Sequence, residues 1–205
     1  MSIDLANFTC DDLGEHEVTL TVTDAAGNSS SATAIVTVED HASPSIIVQD
    51  IVVALDENGQ ATITPAMLDN GSADNCGIVD RSLDVSTFTC DNLGTNAVVL
   101  TVKDASGNSN AGTAIVTVVD DKAPQIDCPA DMVLPYCDAV GVYAYNAVDN
   151  CTANPTVNVD GPASGSTFPA GETTIVISAA DGHGNNASCS FTIKVAEAME
   201  ADPVV

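Results

Sequence analysis

Apolar and polar residues alternate with a period of two through most of this chain. In Val18-Thr19-Leu20-Thr21-Val22-Thr23 the aliphatic residues fall on one face and the threonines on the other. Val98-Val99-Leu100-Thr101-Val102-Lys103 keeps Val98, Leu100 and Val102 together in the same way. That period predicts half-buried strands. The turn Asp104-Ala105-Ser106-Gly107-Asn108 follows, and then a second strand over residues 113–119. Asp bonds backbone groups two residues on and Gly supplies positive φ, so the pair reads as a hairpin. Upstream, the pattern predicts a strand over residues 46–55, a turn at Asp56-Glu57-Asn58-Gly59 and a strand over 61–64. One helical turn at 65–70 and a loop at 71–77 come next, and then a run over 78–89 that folds back as a hairpin near Leu83-Asp84. With the last hairpin this gives about seven strands, the count of an Ig-like sandwich. No helical pattern of useful length occurs.

The hairpin is repeated. Phe8-Thr9-Cys10-Asp11-Asp12-Leu13-Gly14 returns as Phe88-Thr89-Cys90-Asp91-Asn92-Leu93-Gly94, an offset of 80 residues. The same offset carries Asp24-Ala25-Ala26-Gly27-Asn28 onto Asp104-Ala105-Ser106-Gly107-Asn108. A period this long is one small domain per repeat. The expected division is the C-terminal part of a truncated repeat at 1–40, a complete repeat at 41–120, a divergent module at 121–196 and an acidic linker or tail at 197–205. The fold class is all-β, with tandem Ig-like, fibronectin III-like sandwiches in an elongated array. The incomplete first repeat leaves open strand edges, which invite self-association.

Composition sharpens this picture. The formal net charge is −25, from 29 Asp and Glu against 4 Lys and Arg. Nucleic acid and anionic membrane, which need a basic face, are excluded as electrostatic partners. No apolar run approaches the ~18 residues of a membrane helix. Seven cysteines in a β-rich chain with 3% aromatic residues point to an oxidising, extracellular compartment. Met1-Ser2-Ile3-Asp4 has neither a basic nor an apolar leader region and reads as a start placed within a longer secreted or surface protein.

The divergent module carries Asp127-Cys128-Pro129, Asp149-Asn150-Cys151, Ser166-Thr167-Phe168-Pro169-Ala170-Gly171-Glu172-Thr173-Thr174, and Asp181 through Phe191. This combination resembles the hyalin repeat (HYR) family over roughly residues 121–196. The resemblance implies an Ig-like sandwich of extracellular proteins linked to cell adhesion, with no catalytic residues. The preceding units are similar to related Ig-like repeats of Bacteroidetes-type surface and secreted proteins, which implies an adhesin or surface-fibre segment. The partners expected are neighbouring modules of the same chain and a surface glycan or protein ligand.

Cys76 and Cys90 flank the expected hairpin near residue 83, which predicts a disulfide between them. Cys10, the repeat copy of Cys90, then has its partner before Met1 and is expected to be unpaired or bridged between chains. Cys128, Cys137, Cys151 and Cys189 allow three pairings. Sandwich topology favours Cys128 with Cys189 and Cys137 with Cys151. A zinc site is the rival reading, but the spacing lacks a Cys-x-x-Cys.

The same topology brings the inter-repeat linker, one loop and the hairpin turn of each sandwich to one end. For the complete repeat these are Glu39, Asp40, Asp74, Asn75, Asp104 and Asn108. For the divergent module they are Asp120, Asp121, Asp149, Asn150, Asp181 and Asn185. Calcium takes six to eight such oxygens, and Ca2+ at these seams would stiffen an array. The alternative is that these side chains only cap turns.

Enzymatic chemistry has no visible constellation. His16, His41 and His183 read as solvated, and no nucleophile elbow, zinc-protease or phosphate-loop motif occurs. The alternative function is a carbohydrate-binding accessory module, for which Tyr136, Tyr143 and Tyr145 are the available rings, with Tyr143 and Tyr145 on one strand face. The competing account of these tyrosines is that they fill the core or edge of a sandwich that lacks Trp.

Overall fold

The computed structural model describes residues 1–197, so the expected tail lies outside the described residues beyond Glu197. Strands dominate, and the helices are single turns: Pro65–Leu68 and two 3-10 segments at Cys10–Asp12 and Cys90–Asn92. Among the described residues, no helix is long and apolar enough to cross a membrane. The chain forms two compact units. One comprises Met1–Ile51, Ile63–Ser86 and Thr95–Thr117, and the other comprises Val52–Thr62, Thr87–Gly94 and the described residues from Val118 to Glu197.

In the first unit, Gly14–Thr23 pairs antiparallel with Ser29–Val38, in register from Gly14 opposite Val38 to Thr23 opposite Ser29. Ser2–Ile3 adds a short third strand. The turn is built as the sequence requires. Asp24 Oδ1 accepts from the backbone N–H groups of Ala26 and Asn28, at 2.9 and 2.8 Å, and Gly27 has a φ of 93°. Val18 is buried, but Leu20 and Val22 on the same face are 39% and 45% exposed, and Ile3, paired with Leu20, is 49% exposed, so this hairpin presents an open apolar face.

The repeated Thr-Cys-Asp motif has a local cause. Thr9 and Thr89 precede the two 3-10 turns, and Asp12 and Asn92 three residues on accept from their backbone N–H groups at 2.8 and 2.9 Å. This is the reciprocal arrangement of a capping box.

One four-stranded sheet has the order Ile51–Ala54, Ser109–Val119, Gly94–Asp104, Ile78–Leu83. Val98, Leu100 and Val102 are fully buried, as the alternation requires, and Val116 and Val118 join them. Two expectations fail around this sheet. The run 46–55 is a strand only at Ile51–Ala54, because Ser45 and Val48 make isolated bridges to Ala73 and Asp69 instead. The run 78–89 is not a hairpin. Ile78–Leu83 pairs with Gly94–Asp104, whereas Thr87–Thr89 pairs with Gln60–Thr62. Asp84 directs the chain from one pairing to the other, its Oδ1 accepting from the N–H groups of Val85 and Val99 at 2.8 Å each.

In the second unit, a four-stranded sheet runs Met132–Leu134, Asn186–Val195, Gly171–Ala180, Thr156–Asp160, with the first pair parallel. Gln125–Asp127 pairs with Asn146–Val148, and Val140–Gly141 with Ser166–Thr167. The core comprises Tyr143, Phe168, Ile175, Ile177, Phe191, Ile193 and Val195. Tyr143 packs on Phe191 with ring centroids 5.0 Å apart, and its hydroxyl donates to the Pro162 carbonyl at 2.7 Å. Burial raises the pKa of this phenol. Tyr143 and Tyr145 do not share a strand, since the chain between Val140–Gly141 and Asn146–Val148 is irregular.

Candidate metal centres in the acidic loops

The turn that closes each long hairpin is the common part. Asn108 donates its backbone N–H to Asp104 Oδ1 at 2.8 Å and its amide Nδ2 to Asp104 Oδ2 at 2.7 Å. Asn185 repeats this on Asp181, at 3.1 and 2.6 Å. Asn28 repeats it on Asp24, at 2.8 and 2.9 Å. Burial alone would raise the pKa of Asp104 and Asp181. The asparagine and backbone donors outweigh it and hold both carboxyls below their ordinary value, so both are anionic near neutrality.

In the later two copies the asparagine also reaches the strand exit that precedes the repeat. Asn108 Nδ2 donates to the Asp40 carbonyl at 3.0 Å, and Asn185 Nδ2 donates to the Asp120 carbonyl at 3.1 Å. One buried carboxylate is thereby held beside another.

In the first unit, Asp40, Asp74 and Asp104 present carboxylate oxygens within 4.8 Å of one another. Asp40 Oδ1 accepts from Ala42 N at 3.0 Å and from Asn75 Nδ2 at 3.2 Å. Its Oδ2 is buried without a hydrogen-bond partner. Asp74 Oδ1 accepts from Cys76 N at 2.8 Å. Glu39 stands apart, its carboxylate 2.8 Å from His41 Nε2 on an exposed surface.

In the second unit, the corresponding group is Asp120, Asp181 and His183, also within 4.8 Å. Asp120 Oδ1 accepts from Lys122 N at 3.2 Å, and its Oδ2 is buried without a hydrogen-bond partner. Asp149 Oδ2 accepts from the N–H groups of Cys151 and Thr152, at 3.0 and 2.8 Å. Asp149 Oδ1 and Asn150 Oδ1 are buried and unpartnered. Asn150 Nδ2 donates to the Asp56 carbonyl at 3.1 Å. Asp121 is exposed and pairs with Lys122 Nζ at 2.9 Å. Turn capping thus accounts for one oxygen of Asp40, Asp120 and Asp149 and leaves the other oxygen of each unaccounted for. His183 is exposed, as expected, and also brings Nδ1 to 3.5 Å from Asp120 Oδ2.

The cysteines depart further from expectation. Cys76 is bonded to Cys10, not to Cys90, and Cys90 is bonded to Cys151. Cys128 is bonded to Cys189, and Cys137 is free and exposed, so no Cys137–Cys151 bridge forms. The physical reason is the missing hairpin: Ile78–Leu83 and Thr87–Thr89 belong to different sheets, which separates the strands that would have carried Cys76 and Cys90. Two of the three bridges, Cys10–Cys76 and Cys90–Cys151, are copies of one another. Each joins a Thr-Cys-Asp turn to an Asp-Asn-Cys loop, 66 residues on in the first case and 61 in the second. The recurrence of Asp-Asn-Cys at 74–76 and 149–151 was the signal in the sequence.

Residues 119–195 match the family model of the HYR domain. The sequence is 31% identical to Hyalin from Strongylocentrotus purpuratus over 93% of this chain, which spans 17% of the length of that relative. Among solved structures, PcdhgB3 EC1-4 aligns with 95% of this chain and 60% of its own, at 13% identity and a TM-score of 0.38. Mouse Cadherin-23 EC22-24 aligns with 88% of this chain and 74% of its own, at 12% identity and a TM-score of 0.35. The domain match and the hyalin relative support the HYR family for the module at residues 119–195.

Proposed function

We propose that this chain is a non-enzymatic, adhesive tandem-repeat segment of an extracellular surface or fibre protein, with repeats at 1–40, 41–120 and 121–196. The observation that carries this reading is the pair of copied disulfides, Cys10–Cys76 and Cys90–Cys151, each joining one sequence repeat to the next. Three disulfides suit an oxidising exterior, and the HYR match and the hyalin relative support an adhesive role. The likeness of residues 1–120 to Bacteroidetes-type repeats is the ground for placing the parent protein on a bacterial surface.

Divalent cations at the acidic loops are part of the proposal. Calcium suits Asp40, Asp74 and Asp104, an all-oxygen set containing a buried oxygen that lacks a donor. Self-association of two copies through the open face at Ile3, Leu20 and Val22 is the partner expected besides the neighbouring repeats. Thermal melting with calcium and with EDTA tests the cation. Identical curves would remove it. Light scattering and aggregation of beads coated with the chain test association, and dispersed beads with a monomeric chain would count against it.

The second reading, glycan binding, rests on a cleft of about 410 Å³ lined by Tyr143, Tyr145, Val159, Gly161, Ala163 and Ser164. Tyr145 is its exposed ring, because Tyr143 belongs to the core. Retention on a glycan array that is lost in Tyr145→Ala would favour it.

A further inference from the structure

The three hairpin turns share an Asp-x-x-Gly-Asn frame but differ at its third position: Ala26, Ser106 and His183. Only the last carries a side chain that can ligate a metal through nitrogen. Its loop also follows a different path. Gly182 has a φ of 89° where Ala25 and Ala105 take negative φ, and Gly184 has a φ of 111°. Glycines flank the imidazole on both sides, and its Nδ1 lies 3.5 Å from Asp120 Oδ2.

That distance is informative. It exceeds the ~2.7–3.2 Å of a good N–H···O bond. It matches the roughly 3.3 Å edge of a tetrahedron whose centre is bound at about 2.0–2.1 Å. The Asp120 side chain has no exposed surface, and its Oδ2 lacks a hydrogen-bond partner. Asp181 adds a carboxylate within 4.8 Å of both. Asp181 Oδ2 accepts a single hydrogen bond, from Asn185 Nδ2, which leaves it a lone pair. The same Nδ2 donates to the Asp120 carbonyl at 3.1 Å, so one amide fixes both aspartates from behind. The imidazole is 39% exposed, which gives an ion a path in.

We propose that Asp120, Asp181 and His183 form a site for a zinc-class divalent transition-metal ion, with solvent completing the coordination. Two carboxylates and an imidazole suit a borderline metal ion better than calcium, which takes oxygen ligands. The all-carboxylate cluster of Asp40, Asp74 and Asp104 lacks the nitrogen, and the copy position there is Ser106. The competing account is that a protonated His183 pairs with Asp120 and no metal binds.

The inference shares with the proposed function the premise that these loop carboxylates meet a cation, and the test keeps the two apart. The intact chain and its His183→Ser variant are titrated with Zn2+ and, separately, with Ca2+ at pH 7.5. Imidazole resonances are followed together with the heat of binding. The expected result is one equivalent of Zn2+ that shifts the ring nitrogens of His183 and not those of His16 or His41. The variant should bind Zn2+ at least tenfold more weakly, with unchanged Ca2+ binding. Equal Zn2+ affinity in the variant, Zn2+ confined to His41, or a His183 ring that responds only to pH would each overturn the proposal. Ca2+ binding that persists through any of those results would leave the calcium reading intact. Asp120→Asn, which keeps Oδ1 for Lys122 N, is the second variant and should lose Zn2+ while remaining folded.

Discussion

The sulfur of Cys90 is bonded to that of Cys151, and Gly59 faces the bond so closely that a methyl group on it would lie 2.6 Å from the Cys90 sulfur. The same methyl would lie 2.9 Å from the Asn150 carbonyl oxygen. Gly59 also has a φ of 69°, a conformation that L side chains adopt only with strain. Gly59→Ala should therefore destabilise by roughly 2–4 kcal/mol, combining backbone strain and overpacking. Gly71→Ala is the control, because Gly71 has a φ of 98° but nothing within 4 Å of an added methyl. Urea denaturation of the two variants separates the contributions. Equal losses would mean that the disulfide does not confine Gly59.

The pairing of the cysteines predicts a thiol count. The native chain should react with one equivalent of maleimide, at Cys137, and proteolytic mapping should recover Cys10 linked to Cys76 and Cys90 linked to Cys151. Removing a bridge that closes a loop of this length costs about 4 kcal/mol in the chain-entropy model. The Cys10→Ala/Cys76→Ala double variant should show a loss of that order in the first unit. A peptide containing Cys76 linked to Cys90 would refute the assignment.

Strands were legible wherever one face is buried. Val98, Leu100 and Val102 alternate in the sequence and are all fully buried. The Asp-to-Asn turns were legible too, because their hydrogen bonds are local. What could not be read was how the chain passes between sheets. Residues 78–89 have the composition of a hairpin, and only the non-local contacts of Asp84 with Val99 and of Thr87–Thr89 with Gln60–Thr62 reveal two separate pairings. The disulfide error followed from that one misplacement. Asp40, Asp74 and Asp104 lie together, and so do Asp120 and Asp181, but the latter pair is grouped with His183 and not with Asp149, and Glu39 and Asp121 fall outside, since side chains adjacent to a linker aspartate can point into water. His183 reads as solvated and is exposed, but a histidine in a turn gives no periodic signal of the carboxylate beside it.

Asp69 supplies a pH dependence with a defined sign. Burial would raise its pKa, but the Ser72 donors and Arg81 outweigh burial and bring it to about 2. Arg81 Nε lies 2.6 Å from Asp69 Oδ2. Because the folded pKa lies below the unfolded value, the stabilisation is full above about pH 4 and is lost as pH falls towards 2. Its size is on the order of 1–2 kcal/mol. Asp69→Asn should flatten the acid limb of the stability curve by that amount and leave the neutral region lowered. An unchanged acid limb would mean that Asp69 titrates normally.

Asp40 gives the sharpest test of the cation. Three carboxylates lie within 4.8 Å of one another, and Asp40 Oδ2 has no donor to offset the repulsion. At that separation each like-charge pair opposes folding by roughly 1–3 kcal/mol, depending on the effective dielectric. Asp40→Asn removes one charge, keeps Oδ1 for Asn75 and Ala42, and places an amide donor among the remaining carboxylates. In EDTA the variant should therefore melt above the native chain. Calcium should reverse the order. A ligand at a hundred times its dissociation constant stabilises by about 2.7 kcal/mol, and the native chain gains this while the variant does not. Crossing of the two melting temperatures between EDTA and calcium is the expected signature. If Asp40→Asn lowers the melting temperature equally in both conditions, the aspartate serves the turn alone and the carboxylates need no cation.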